Sequence, residues 1–356
     1  MKVCDALVQT GHELELMIPA EAPEAGWDEL ALRYGVRNRF PIRRLASLRP
    51  LRRIDFVWYA HRAAQNHQAD LVYTWLPQTA VVEARLGMPV ILEMHADVAG
   101  RFGAWWLRQF WNRDETRRLL VTTGALRRAL ERSTQMTFPN AAVQIAPNGV
   151  DLDRYAGLPE PQEARVQLQL PERTTIGFTG HFYSGRGMDL LIELARTLPD
   201  LQFLCVGGQP DAVEYWRQRV QGAGQTNVTL TGFVDNTRLP LYQAAADILV
   251  MPYGEQVAAS SGQNIADVIS PMKMFEYMAA GRAIVTADLP AIREVLDESR
   301  AVFCPIGDKA AWRSAIVELS LDQGRRRKLA GSAQREVQKY TWVARAERAL
   351  RGMGKD

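Results

Sequence analysis

The feature that most constrains this chain is a pattern met twice, in which short apolar runs alternate with stretches of helical periodicity. In the second half, "RTTIGFTG", "LQFLCVGG", "NVTLTGFV", "ADILVMPY", "GRAIVTAD" and "AVFCPI" read as buried strands ending in loops. "MDLLIELARTL" and "RLPLYQAAA" between them carry helical spacing. The first half has "HELELMIP", "ADLVYTWL", "MPVILEMH", "RLLVTTG" and "VQIAPNGV" in the same style. Strands separated by helices predict βαβ units, because parallel neighbours need a crossover connection. A chain of 356 residues exceeds one ordinary domain and suits two. The boundary falls in "PNGVDLDRY", where Asn148 and Gly149 both tolerate positive φ and a Pro-rich polar connector follows. The expected fold class is α/β, with two Rossmann-like, doubly wound domains facing across a cleft. These are residues 1–150 and 151–338, with a C-terminal helix over 339–356 crossing back to the first.

Bulk properties remove several classes. No apolar run reaches the roughly 18 residues of a membrane span, and "MKVCDALVQTGHELEL" lacks the apolar core of a secretory signal. Three scattered cysteines, Cys4, Cys205 and Cys304, form neither a disulfide framework nor a metal cluster, so a cytoplasmic, reducing compartment is expected. Net charge is only +3, but eight arginines and no acid lie between Arg33 and Arg53. That stretch is either a solvated surface loop and helix or a basic face for an anionic partner. No nucleic-acid motif accompanies it. Anionic headgroups or a phosphate-bearing acceptor suit the nearby aromatics Phe40, Phe56, Trp58 and "WWLRQFW", although a Trp-rich run is more often core.

Ligands of doubly wound sheets sit where strands feed helix N-termini. In "GFTGHFYSGRGMDLL", Gly180, Gly185 and Gly187 let backbone approach a phosphate, and Arg186 adds a charge with bidentate geometry. The competing reading is a tight turn with a solvated arginine. "SPMKMFEYMAAG" reads as a helix with Ser270 as N-cap, Pro271 at its first position and Gly281 at its end. Lys273 and Glu276 share one face of it. A cation in the first turn opposes the helix dipole, which argues for an anion there. Glu276 suits vicinal sugar hydroxyls, and the plain alternative is an intrahelical ion pair. His95 follows the strand of "ILEMHADVAG", with Asp97 beyond. His12, His61 and His67 carry weaker signals, and His181 lies in the glycine loop. The polar loop over 254–270 either wraps a ligand or simply connects.

Together these pieces resemble the retaining, nucleotide-sugar-dependent glycosyltransferases of the GT-B fold, family 4 or "glycosyl transferases group 1". "SPMKMFEYMAAGRAIVTADLPAIREV" resembles that family's donor-site helix and strand almost throughout. "PNGVDLDRY", "GFTGHFYSGRGMDLLI", "LQFLCVGG", "VTLTGFV" and "ADILVMPY" match in order, and "ADLVYTW", "GMPVILEMH" and "YTW" extend the match. The resemblance implies that Glu276 is the second glutamate of the Glu-x7-Glu motif and holds ribose. It implies that Arg186, with Lys273 and the helix start at Ser270 and Pro271, contacts the donor diphosphate. His95 matches the histidine near the transferred sugar. Three departures stand out. Val268 occupies the first motif glutamate, with Asp267 beside it, and His181 stands where many members have arginine. The N-terminal strand of the first domain has no candidate, so roughly 20 residues are expected upstream.

The reading that follows is a hexosyltransferase moving sugar from a nucleoside-diphosphate sugar to an acceptor hydroxyl in polysaccharide or lipid-linked glycan synthesis. His95 and Glu276 are its catalytic candidates. Gly180, His181, Arg186, Gly187, Asp267, Ser270, Pro271, Lys273 and Glu276 are expected to bind donor. Arg43, Arg44, Arg52 and Arg53 are expected to face the acceptor or the inner surface of the cell membrane. No cofactor, obligatory metal or nucleic acid is expected. The alternatives are a non-catalytic or truncated GT-B nucleotide-binding protein and a GT-B sugar-nucleotide epimerase.

Overall fold

A computed structural model describes residues 1–20, 25–47, 54–111, 116–258 and 263–353. The chain divides into two compact units, Met1–Pro147 with Trp342–Asp356, and Asn148–Thr341.

The first unit runs α1 (Lys2–Gln9), β1 (Leu16–Pro19), α2 (Trp27–Tyr34), β2 (Ile42–Leu45), α3 (Ile54–Asn66), β3 (Val72–Thr74), α4 (Pro77–Arg85), β4 (Val90–Met94), α5 (Gly100–Trp111), β5 (Arg117–Val121), α6 (Gly124–Thr134) and β6 (Val143–Ile145). Strands β3-β4-β5-β6 form one parallel sheet, and β1 and β2 form a separate parallel pair. All of β4 is buried, as an apolar central strand must be. Strand β2 lies inside the arginine-rich stretch, which was expected to be loop or helix. The sequence "IRRL" hides its strand character because Arg43 is exposed, while Ile42 and Leu45 sit in register with Leu16 and Pro19. Phe40 and Phe56 are buried in the core, and Phe40 meets Trp27 edge-on at 5.2 Å.

The second unit runs α7 (Pro161–Gln167), β7 (Thr175–Thr179), α8 (Met188–Thr197), β8 (Gln202–Val206), α9 (Pro210–Gly222), β9 (Val228–Gly232), α10 (Leu239–Ala244), β10 (Ile248–Met251), α11 (Met272–Ala280), β11 (Ala283–Ala287), β12 (Val302–Cys304), α12 (Lys309–Leu321) and α13 (Gln323–Val337). Its sheet has the order β12-β11-β10-β7-β8-β9, with every pair parallel. Strands β7, β8, β10 and β11 are buried along their whole length, which explains their unbroken apolar sequences.

The closing helix α14 (Trp342–Leu350) belongs to the first unit. Its Trp342 and Ala346 pack on Val3, Ala6 and Leu7 of α1, and its Ala349 packs on Ile91 and Leu120 of the sheet. Asn148 and Gly149 do not use the positive φ their types permit. Cys4, Cys205 and Cys304 are free and buried, and no described helix is long and apolar enough to cross a membrane.

Candidate functional site

The six-stranded sheet starts at its centre. From β7 the chain moves outward through β8 and β9, then returns to β10 on the other side of β7. This is a topological switch point, where sheets of this kind bind ligands in a crevice beside the strand ends. The loops leaving β7 and β10 approach so closely that side chains have no room. Gly254 N donates to Gly185 O at 3.0 Å. A Cβ on Gly185 would lie 1.7 Å from Gln256 O, and one on Gly187 would lie 2.1 Å from Pro252 O. Both glycines also have left-handed φ, +77° and +90°, which favours glycine independently.

Cations gather at this crevice. Lys273, in the first turn of α11, holds its Nζ 3.9 Å from the centroid of the Phe178 ring. A Cβ on Gly180 would come within 2.9 Å of that nitrogen, so glycine there leaves the ammonium its place. Burial drives the Lys273 ammonium down to about 7, the Arg186 charge adds to the fall, and Glu276 opposes it. The Arg186 guanidinium lies 5.7 Å from the centroid of the Tyr253 ring. Arg186 Nε is buried with no hydrogen-bond partner among the described residues, and the buried Tyr253 hydroxyl interacts with the Arg186 guanidinium. Burial pushes the Tyr253 hydroxyl up to about 12, against the pull of Arg186. The His181 ring stacks on Tyr183 at 4.9 Å with an interplanar angle of 6°. Burial lowers its basicity, and the charges of Arg186 and Lys273 lower it further. A buried donor without a partner is rare because it forfeits its hydration, so Arg186 Nε beside a sunken cation suits an anionic ligand.

Glu276 stands one turn further along α11 and accepts from Gln243 Nε2 at 3.2 Å. Gln243 has no exposed surface, and its Oε1 accepts from the Tyr155 hydroxyl at 3.0 Å. Beside them Tyr277 Oη accepts from Thr179 N at 2.8 Å, which joins α11 to the end of β7. The start of α11 differs from expectation. Pro271, not Ser270, is the capping residue, and no side chain caps the helix. The Ser270 hydroxyl accepts instead from Asn148 N at 3.1 Å, and its carbonyl accepts from Asn148 Nδ2 at 2.6 Å. Gly281 ends the helix in the left-handed conformation, φ 65°. Val268 is buried and Asp267 is exposed, on a short 3-10 turn. An apolar side chain at 268 packs into the unit where a carboxylate would need a partner.

In the first unit, His95 follows β4 immediately, with 47% of its side chain exposed. Its Nε2 lies 2.6 Å from Glu93 Oε1 and 3.1 Å from Trp75 Nε1. Asp97 is used locally, accepting from Val98 N and from the Ser133 hydroxyl. His61 pairs with the buried Glu83 at 2.9 Å. Arg43 is engaged by Glu15 at 2.8 Å and by His67 at 2.8 Å. Arg44 lies beside it on β2, and Arg52 and Arg53 fall outside the described residues. Exposed aromatics sit on α3, where Trp58 is 53% exposed beneath the Arg62 guanidinium, and on α5 with Phe102 and Trp105.

Comparisons with known proteins meet this geometry. Residues 173–322 match the family model described as "Glycosyl transferases group 1", and residues 1–154 match "Glycosyltransferase Family 4". The chain belongs to the family 4 glycosyltransferases of the GT-B fold. Among its relatives is a D-inositol 3-phosphate glycosyltransferase of Xylanimonas cellulosilytica, 28% identical over 56% of this chain and 48% of that protein. Another is a phosphatidyl-myo-inositol mannosyltransferase of Mycolicibacterium smegmatis, 29% identical over 59% and 51%. The match therefore spans about half the length of these curated relatives. Solved structures share the fold over nearly the whole chain. A sucrose-phosphate synthase from Thermosynechococcus elongatus aligns with TM-score 0.75 at 18% identity, covering 98% of this chain and 90% of that one. Anabaena HepE in complex with UDP aligns with TM-score 0.75 at 16% identity, covering 98% and 94%.

Within this family 4 chain, the second unit brings Gly180, His181, Arg186, Gly187, Lys273 and Glu276 to one end of β7 and its neighbours. Ser270 and Pro271 lead into the same helix, while Asp267 turns to the surface. Sequence reasoning missed Gln243, Tyr155 and Tyr253 beside Glu276 and Arg186, and Glu93 and Arg345 behind His95. Two weak signals were present. Glu93 is a charge within an apolar strand, and Tyr253 closes the strand that leads into the crevice.

Proposed function

We propose that this chain is a retaining glycosyltransferase that moves a hexose from a nucleoside-diphosphate sugar to an acceptor hydroxyl. The observation that carries the reading is the buried Arg186 Nε, without a hydrogen-bond partner among the described residues, near Tyr253 and the buried Lys273 ammonium at the switch point. A diphosphate would accept from Arg186 Nε and add negative charge beside the Lys273 ammonium. Glu276, held from behind by Gln243, is the acceptor for ribose hydroxyls. In the reaction, the bond between the anomeric carbon and the diphosphate oxygen breaks and a bond to the acceptor oxygen forms on the same face. The acceptor proton passes to the departing diphosphate oxygen. Lys273, Arg186 and the N-terminus of α8 stabilise the charge that builds on the leaving group. With that charge supplied by side chains, no metal is obligatory, and activity should survive a chelator.

The acceptor is a lipid-linked or cell-surface glycan. Support comes from the exposed Trp58, Tyr59, Phe102 and Trp105, with Arg62 and Arg101 over two of those rings, which suits a peripheral membrane face. The phosphatidyl-myo-inositol mannosyltransferase among the relatives favours the same class. Co-sedimentation with anionic vesicles should fall with moderate salt and with Trp58→Ala. Recovery in the supernatant at all salt concentrations would remove the membrane face.

The test of the whole reading is thermal stabilisation by UDP, GDP, ADP, TDP and CMP at millimolar concentration. A ligand that binds only the folded state raises the midpoint by mass action. A shift with one diphosphate, lost in Glu276→Ala, is expected. No shift with any of them would favour the non-catalytic alternative.

A further inference from the structure

Behind His95 lies a closed polar assembly. The side chains of Glu93 and Arg345 are each 1% exposed. Glu93 Oε1 accepts from Arg345 Nη2 at 2.5 Å, and Glu93 Oε2 accepts from the Tyr73 hydroxyl. Arg345 also donates from Nη1 to Tyr73 Oη at 3.3 Å, and from Nε to the carbonyls of Pro147 at 3.1 Å and Ala146 at 3.3 Å. Burial alone would push the Glu93 carboxyl up. The hydrogen bond with His95 and the charge of Arg345 outweigh it and hold the group at about 2, so it is ionised at neutral pH.

An ionised carboxylate only accepts hydrogen bonds. A ring nitrogen 2.6 Å from Glu93 Oε1 must therefore bring the hydrogen, since two lone pairs at that distance repel. This makes Nε2 of His95 a donor. The indole N–H of Trp75 also lies 3.1 Å from Nε2, but an indole can only donate and a protonated nitrogen has no lone pair to offer it. The shorter, charge-assisted contact decides between them.

We infer that Arg345 and Glu93 are positioning residues that hold a proton on Nε2 of His95, so that in the neutral ring Nδ1 is left to accept a hydrogen bond from a substrate hydroxyl. The substrate half of this inference rests on the proposed glycosyl transfer, while the tautomer half rests on the 2.6 Å contact with the ionised Glu93. A buried ion pair is a poor device for stability, because apolar replacements of similar volume are often as stable. Its consequence here is orientation. It joins the penultimate residue of β4 to the middle of α14, so the closing helix sets the angle of an imidazole that lies 250 positions earlier in the chain.

The experiment uses the full chain with 15N-labelled histidine at pH 7.5. The His95 signals, among those of five histidines, are identified by their loss in His95→Gln. Two-bond nitrogen–proton correlations should show a protonated Nε2 and an unprotonated Nδ1. A ring protonated on Nδ1, or on both nitrogens, would overturn the assignment without any variant. Glu93→Met with Arg345→Met removes both charges together and so leaves neither stranded. In that double variant His95 should show mixed tautomers. Its kcat/KM should fall about tenfold, as expected for one lost hydrogen bond, while the midpoint shift with nucleoside diphosphate stays unchanged. Retention of the single tautomer would remove Glu93 and Arg345 from the role. Unchanged kcat/KM beside mixed tautomers would remove the substrate contact. A wild-type chain without transferase activity would sink the proposed reaction and leave the tautomer result standing.

Discussion

Gln243, with no exposed surface of its own, donates its amide N–H to the Glu276 carboxylate at 3.2 Å. Glu276 is thus held from inside the core, and the same glutamine is fixed by Tyr155 at 3.0 Å. Replacement by Gln243→Leu removes this donor from the Glu276 carboxylate. Nucleoside diphosphate affinity should fall about tenfold or more, the scale of a hydrogen bond to a charged group. Tyr155→Phe, one step further back, should cost less. Calorimetric binding of the diphosphate checks both, and equal loss in the two variants would point to a general disturbance of α10 instead.

Lys273 titrates at about 7 in the ligand-free chain, against its ordinary 10.5, because burial and the Arg186 charge disfavour the ammonium. Between those values the folded chain holds fewer protons than the unfolded chain. This group therefore makes the ligand-free protein more stable as pH rises from about 7 towards 10.5. A diphosphate beside Nζ favours the ammonium again, so binding at pH 8 should take up a proton. Binding enthalpies in buffers of different ionisation heat should reveal an uptake approaching one proton in the wild type and none in Lys273→Met. Identical enthalpies in every buffer would place the phosphate away from this lysine.

The close approach of the β7 and β10 loops makes Gly185 and Gly187 irreplaceable by size as well as by φ. Gly185→Ala puts a methyl against the Gln256 carbonyl and forces a left-handed φ on alanine. A cost of at least about 1–3 kcal/mol is expected from the strain, together with loss of the nucleotide-induced midpoint shift. Thermal unfolding with and without nucleotide measures both. Gly222→Ala is the control, since a Cβ there meets nothing within 4 Å.

The Glu93–Arg345 pair predicts asymmetric mutational effects. Arg345→Ala strands a buried carboxylate and should cost about 3–5 kcal/mol. Glu93 sits at about 2 instead of its ordinary 4.5, so its contribution to stability is complete above 4.5 and is lost as pH falls towards 2. Urea midpoints at pH 6 and pH 3 should draw together in Glu93→Gln relative to the wild type. An unchanged acid dependence would mean that other carboxylates govern it.

The parallel strands of the second unit were legible because each is buried on both faces, and an unbroken apolar run closed by glycine has few other uses. The placement of Lys273, Glu276 and Arg186 at helix starts and a glycine loop beside strand ends was legible for a related reason, since such positions follow from the order of strands and helices along the chain. Strand β2 was not legible, because a short strand with an exposed arginine carries no apolar alternation. The Ser270 cap failed because Asn148 competes for the same hydroxyl from 122 positions away.

What the sequence by itself determined is local: periodicity, glycine placement, and the order of strands, loops and helices along the chain. Hydrogen bonding and burial over a few neighbouring residues suffice for those. What only the tertiary structure decided is which distant groups share a dry space. Gln243 behind Glu276, Tyr253 beside Arg186, and Arg345 locked to Glu93 behind His95 have no signature in spacing. Their partners are chosen by sheet order and by the return of α14 to the first unit, and a buried charge or amide is tolerated only where that packing supplies the complementary atom.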